Sequence, residues 1–217
     1  MVGPVTTISR FAFVLSKLEL RQALLHLDGL SQRRRLGVKG RGVDVQARQL
    51  AVAEVTGMLD HVLRHNVWAN RALLDHCASL GPDVLDLEAA GTYGTLYGTL
   101  QHIVGGEQFY IWLLTGTASD TPLRQTDHRR SLEELTTIAT MTGARALEVA
   151  ANDDPDRVIG EGEDWTTAGI VLAQLVHHGN EHRAHATTIL GSNGRPTPKI
   201  GAWTYGIASG VSKNDGD

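Results

Sequence analysis

From Met58 onward the chain alternates apolar and polar residues with helical spacing. Leu59, Val62, Leu63, Val67, Leu73 and Leu74 follow a mostly i/i+3/i+4 pattern, which predicts an amphipathic helix from Met58 to about Leu80. Gly81-Pro82 is a turn pair that ends it. After a Gly/Thr-rich loop at Gly91-Thr92-Tyr93-Gly94-Thr95, a second stripe of Leu96, Leu100, Ile103, Tyr110 and Leu114 runs to Gly116. Gly105-Gly106 interrupts that stripe at about 1 kcal/mol per glycine relative to alanine. Either a close helix–helix or helix–ligand approach or a local break accounts for it. Residues 117–130 read as a crossover loop. Ser131-Leu132-Glu133-Glu134 has capping-box spacing and opens a third helix through Leu135, Ile138, Met141, Leu147 and Ala150, which Asn152-Asp153-Asp154-Pro155 stops. Arg157 to Asp164 is short, Gly-rich and suited to an extended excursion. Thr166 or Thr167 then caps a fourth helix through Ile170, Leu172, Leu175, Val176 and Ile189, closing at Gly191-Ser192-Asn193-Gly194. Four helices of this length, one after a long connection, predict an all-α four-helix bundle.

The region before Met58 has a different character. Residues 1–50 hold nine Lys/Arg against three Asp/Glu, while the rest holds eleven basic and twenty-one acidic side chains. A basic leader on an acidic body reads as a nucleic-acid arm, an Arg-rich targeting segment, or upstream sequence outside the folded unit. Gln32-Arg33-Arg34-Arg35 and Lys39-Gly40-Arg41 lack interleaved aromatics to stack on bases, and Met58 stands where the helical pattern begins, so the third reading is preferred. An amphipathic stretch from Phe11 to Leu27 is expected to form a loosely attached helix. The organisation expected is a basic extension over 1–57, a bundle over 58–207 and a polar tail over 208–217.

Composition narrows the chemistry. Hydrophobic residues make up 41% and charged residues 20% of 217 residues, ordinary values for a globular chain. The single cysteine, Cys77, excludes an internal disulfide framework and a Cys-based zinc cluster. Its apolar setting marks it as a small buried residue and not a nucleophile. No apolar run approaches the roughly 20 residues that span a bilayer. With no cleavable signal peptide in view, the cytoplasm is the expected location, with neither membrane nor nucleic acid as partner.

Histidines carry the chemical signal. In His177-His178-Gly179-Asn180-Glu181-His182-Arg183-Ala184-His185, His178 and His182 stand at i and i+4, with Cβ atoms about 5–6 Å apart on a helix. Imidazole suits zinc, iron, nickel and copper. On a helical wheel His178, His182 and His185 share a sector of about 60°, with His177 about 100° away. His178 and His185 are about 10.5 Å apart along the axis, too far for one ion, so His185 belongs at the pocket rim or behind a ligand. A third ligand must come from another helix. His102, between Leu100 and Ile103 and one turn before Gly105-Gly106, is the candidate; alone it would read as a core histidine bonded to a backbone carbonyl. The body has no pair of Glu-x-x-His motifs for a di-iron bundle and no H-E-x-x-H motif. His178 to His182 does fit the inverted H-x-x-E-H pattern of some metallopeptidases. The 35 residues after His182 contain no glutamate for that site's third ligand, so the peptidase fold is rejected and Glu181 is kept as a pocket acid/base.

Several segments together resemble one family. Leu100-Gln101-His102-Ile103 followed by Glu107, His178-Gly179-x-x-His182-Arg183, Val67-Trp68-Ala69-Asn70-Arg71 with Leu73-Leu74, and Pro198 through Trp203 and Tyr205 resemble the signatures of the DinB/YfiT-like superfamily over about 58–205. The chain departs from it at His177, where Asn is usual, at Ala184-His185, where Gly-Gln is usual, and at Gly201, where an acidic residue is common. The resemblance implies an up-down-down-up bundle, often dimeric, with His102, His178 and His182 on one divalent transition metal (zinc, nickel or iron). Several such relatives are thiol S-transferases using bacillithiol, mycothiol or glutathione, and some are maleylpyruvate isomerases. The expected activity is therefore a metal-dependent thiol S-transferase or related enzyme using a low-molecular-weight thiol and a small-molecule substrate, with Glu181 or His185 assisting proton transfer. A metal-dependent hydrolase of small esters or amides and a non-enzymatic, metal-stabilised dimeric module are the alternatives.

Overall fold

The computed structural model describes residues 45–116, 129–161 and 164–213. The Phe11–Leu27 stretch, His128, most of the crossover loop and the last four residues lie outside the described residues. Its helices are α1 (Val45–Leu80), α2 (Leu96–Thr115), α3 (Leu132–Asn152), α4 (Ala168–Ser192) and the short α5 (Ala202–Ala208). A 3-10 turn at Pro82–Val84 follows α1, and strands β1 (Val158–Glu161) and β2 (Asp164–Thr167) form an antiparallel hairpin between α3 and α4.

The expected four helices are all present. The first begins at Val45, well before Met58, and so crosses the expected boundary at residue 57. Gly57 falls inside it, and the isolated glycine does not end the helix. At α2, Thr95 accepts from the Gly98 amide and Gly116 closes the helix in the left-handed region at φ 65°. At α3 both halves of the capping box form, with Ser131 Oγ accepting from the Glu134 amide and Glu134 accepting from the Ser131 amide. The excursion after α3 is the β hairpin. Thr167 is the N-cap residue of α4, but its side chain caps nothing. The amides of Ala168 and Gly169 donate instead to the carbonyls of Arg157 and Pro155, each at 2.9 Å, so the chain entering the hairpin satisfies the exposed end of the helix.

Two apolar clusters fill the bundle. One joins Leu73, Leu74 and Cys77 of α1 to Leu96, Leu100 and Ile103 of α2, Leu135 and Ala139 of α3, and Ala186, Ile189 and Leu190 of α4. The other joins Leu63, Tyr110, Ile111, Leu114, Ala146, Val149, Val171 and Leu175. Sequence numbers rise from the second cluster to the first in α1 and α4 and fall in α2 and α3. The helices therefore run up-down-down-up. Cys77 is fully buried in the first cluster.

Between the clusters lies a polar layer of Asn66, Asn70, Glu107, His178, His182 and Arg183, all buried. α3 crosses this level with Thr142 and Gly143. A Cβ on Gly143 would meet Val67 Cγ2 at 2.7 Å, so the glycine lets α1 and α3 close up there. The segment after α4 docks back on α1. Ile200 and Pro196 carbonyls accept from His65 and His76 at 2.9 and 2.8 Å, and Tyr205 packs on His65 and Trp68. Trp68 and Trp112 are half-buried, the latter beside Phe109. Trp203 is 87% exposed and anchors no core. None of the described helices is long and apolar enough to cross a membrane.

Candidate metal centre

α2 and α4 bring three imidazoles together at the polar layer. One nitrogen from each of His102, His178 and His182 lies within 4.8 Å of the other two. Nε2 of His178 and Nε2 of His102 are 2.9 Å apart, and the ring centroids are separated by 4.5–4.7 Å. The close approach depends on Gly106. A Cβ there would fall 2.3 Å from His178 Cε1, so Gly106 marks a close approach between helices, and α2 runs unbroken through both glycines.

Burial, reinforced by neighbouring imidazoles, pushes His102 down to about 3, His178 to about 2 and His182 to about 4. All three are neutral near pH 7, the form in which imidazole offers a lone pair to a metal. Nδ1 of His178 and of His182 is buried without a hydrogen-bond partner. Idle buried nitrogens are costly, and a cation among these rings would take up lone pairs that otherwise face one another. The donor set and its spacing therefore fit a divalent transition ion of the type imidazoles hold at about 2.0–2.1 Å.

Aromatic side chains shape the rest. Tyr93, from the loop before α2, stacks on His102 at 4.0 Å and meets His182 edge-on at 4.9 Å. Tyr110 meets His178 edge-on at 5.6 Å. His102 is the least enclosed of the three, and the Tyr93 ring stacks over it. His185 lies behind His182, with centroids 5.2 Å apart, and its Nδ1 is buried without a partner. Glu181 does not join the cluster. It is on the exposed side of α4, 53% accessible, with Oε2 3.9 Å from His177 Nε2, and it acts on His182 only as a nearby negative charge that raises its pKa.

Four further residues of the layer were not assigned a role in the sequence. Glu107 Oε1 accepts from Asn66 Nδ2 at 2.5 Å and Asn70 Nδ2 at 2.7 Å. Arg183 Nη1 donates to Asn66 Oδ1 at 2.7 Å and Asn70 Oδ1 at 2.5 Å, and its Nη2 donates to Asn180. The two amides thus stand between a carboxylate and a guanidinium, each turned the way its dipole requires. Burial pushes the Glu107 carboxyl up to about 7, against the pull of the asparagines and Arg183. The same burial pushes Arg183 down to about 10, against Glu107. A signal for them was present: Asn66 and Asn70 occupy the apolar stripe of α1, and Glu107 and Arg183 occupy those of α2 and α4.

A profile of the DinB family matches residues 54–207. The chain belongs to the DinB family. No curated protein matches it. The match covers all four long helices in whole or large part and includes every residue of the DinB bundle's histidine cluster and polar layer.

Proposed function

We propose that the chain is a metal-dependent thiol S-transferase or related small-molecule enzyme, with His102, His178 and His182 as the ligands of one divalent transition metal. The observation that carries this reading is the meeting of three imidazole nitrogens within 4.8 Å, with His178 and His182 buried and His102 half-buried. When bound, such an ion supplies Lewis acidity at the positions its three protein ligands leave open, where it lowers the pKa of a thiol or water. Zinc, nickel and iron all suit the donor set.

The chain's own residues do the remaining work. Tyr93 and Tyr110 wall the centre and exclude water from two sides of the histidines. His185, half-buried behind His182, is better placed than Glu181 to hold a proton for the reaction, because Glu181 faces solvent beside His177. A low-molecular-weight thiol and its electrophilic partner are the substrates. A homodimer is proposed as the working form, with the exposed Trp203, Ile207 and Val211 as support.

The test is elemental analysis of the purified full chain beside a His102/His178/His182 triple-alanine variant, followed by a screen of thiol donors and electrophiles. About one divalent ion per chain, lost in the variant, together with thiol-dependent turnover is expected. Turnover of simple esters or amides without thiol would replace transfer with hydrolysis. Bound metal without any turnover would favour a metal-stabilised binding module. No metal after reconstitution would defeat the proposal.

A further inference from the structure

The polar layer contains charges that ligation by three histidines leaves unexplained. Neutral imidazoles bring no negative charge to a cation, and the nearest buried ionic group on α4 is another cation, Arg183, adjacent to His182. Its positive charge reaches His178 through space. Burying uncompensated charge in a helical core is strongly unfavourable. Among the described residues Glu107 is the one buried acidic side chain, 2% exposed. Its Oε2 is buried with no hydrogen-bond partner, so the carboxylate is held by one oxygen only, through Asn66 and Asn70. Glu107 is not itself among the nitrogens and oxygens that converge on the candidate ion. The other carboxylate near the ligands, Glu181, is exposed and beside His177, where water screens it.

We propose that Glu107 is the counter-charge of the metal centre, offsetting through Asn66 and Asn70 the guanidinium of Arg183 so that the three neutral histidines can accept a divalent cation. Glu107 is then a positioning and charge-balancing residue and touches neither metal nor substrate. The two asparagines transmit its charge along aligned amide dipoles, and they link α1 to both metal-bearing helices. The inference rests on the metal-centre reading above.

Charge balance and a merely structural role make opposite predictions for Arg183. Zinc is titrated into the metal-depleted full chain in four forms: wild type, Glu107→Gln, Arg183→Gln and the double variant. Helicity and thermal midpoint are followed in parallel. Glu107→Gln keeps the acceptor oxygen and loses the charge, and is expected to weaken zinc by about 10–100-fold, the range for partners behind metal ligands. Arg183→Gln removes the competing cation and is expected to tighten zinc. The double variant is expected to return close to wild type, because the two lost charges act on zinc with opposite signs. Unchanged affinity in Glu107→Gln, or a double variant weaker than Glu107→Gln alone, overturns the inference. If Glu107→Gln does not fold, Arg183→Gln decides: tighter zinc supports the inference, and equal or weaker zinc overturns it. Absence of zinc binding by the wild type overturns both this inference and the proposed function. Zinc binding by the wild type with no effect of Glu107→Gln overturns this inference alone.

Discussion

Gly106 sets how closely α2 and α4 approach at the histidines. A methyl group there would lie 2.3, 2.9 and 3.0 Å from three atoms of the His178 ring, which is inside contact distance for all of them. Gly106→Ala is therefore expected to rotate His178 out of the cluster and weaken zinc by at least about tenfold, the scale of a disturbed metal shell. Helicity should survive, because alanine favours a helix by about 1 kcal/mol over glycine while overpacking costs about 1–3 kcal/mol. Zinc titration beside circular dichroism checks both halves, and full affinity in the variant would contradict the close-approach role. At this scale the sequence was partly readable. His178 and His182 declare their pairing because both stand on one helix at a fixed spacing. Glu181 shares their sequence pattern, yet one residue turns about 100° around the helix, enough to send it to solvent. Glu107, Asn66, Asn70 and Arg183 meet across 37 to 117 positions of chain, and no local spacing encodes such a meeting. Their polar character on otherwise apolar stripes, and the place of Asn70, Glu107 and Arg183 in the family-like motifs, hinted at it.

Three long helices open after threonine or serine, and α3 and α4 among them are held at their starts by different means. Ser131 and Glu134 cap α3 reciprocally, whereas α4 rests on carbonyls of the preceding hairpin. Ser131→Ala is expected to cost about 1 kcal/mol, the usual loss of a side-chain cap, and to lower the thermal midpoint without altering zinc affinity. Thr167→Ala is expected to cost clearly less, since its hydroxyl caps no amide. Thermal melts of the two variants side by side check this, and equal losses would contradict it. The contrast also marks what sequence reveals about elements. A capping box is local and was legible at Ser131. The support of α4 by Pro155 and Arg157 is a contact between segments, and at Thr167 the residue type alone suggested a cap that does not form. The start of α1 lies earlier than expected: the apolar pattern beginning at Met58 and the basic composition before it suggested a boundary, while the helix runs through from Val45.

Across the whole molecule, a titratable layer is clamped between two apolar clusters, and the largest responses of stability to acidity belong to that level of the bundle. His102, His178 and His182 are held in the folded state far below the ordinary value of 6.5. The unfolded chain therefore binds more protons as pH falls, and the histidines' contribution, complete above about 6.5, drains away on acidification. Glu107 has the opposite sign. Its folded pKa is raised from 4.5 to about 7, so its contribution is complete below 4.5 and is lost as pH rises through about 7. Three histidines oppose one carboxyl, and the metal-free protein is expected to lose thermal midpoint steadily between pH 6.5 and about 4. Glu107→Gln should steepen that fall by removing the compensating group. Melts of chelator-treated protein across this range test it, and a midpoint that rises on acidification would contradict it. The apolar layers on either side have a separate consequence for chemical handling. The one thiol of the chain is sealed in the first cluster and pushed up to about 12 by burial. Iodoacetamide should leave the native protein unlabelled by mass spectrometry and modify Cys77 only after denaturation. Under the proposed thiol transfer, the chain would then be exempt from the reaction it promotes, with its own sulfur kept out of the competition for metal and electrophile.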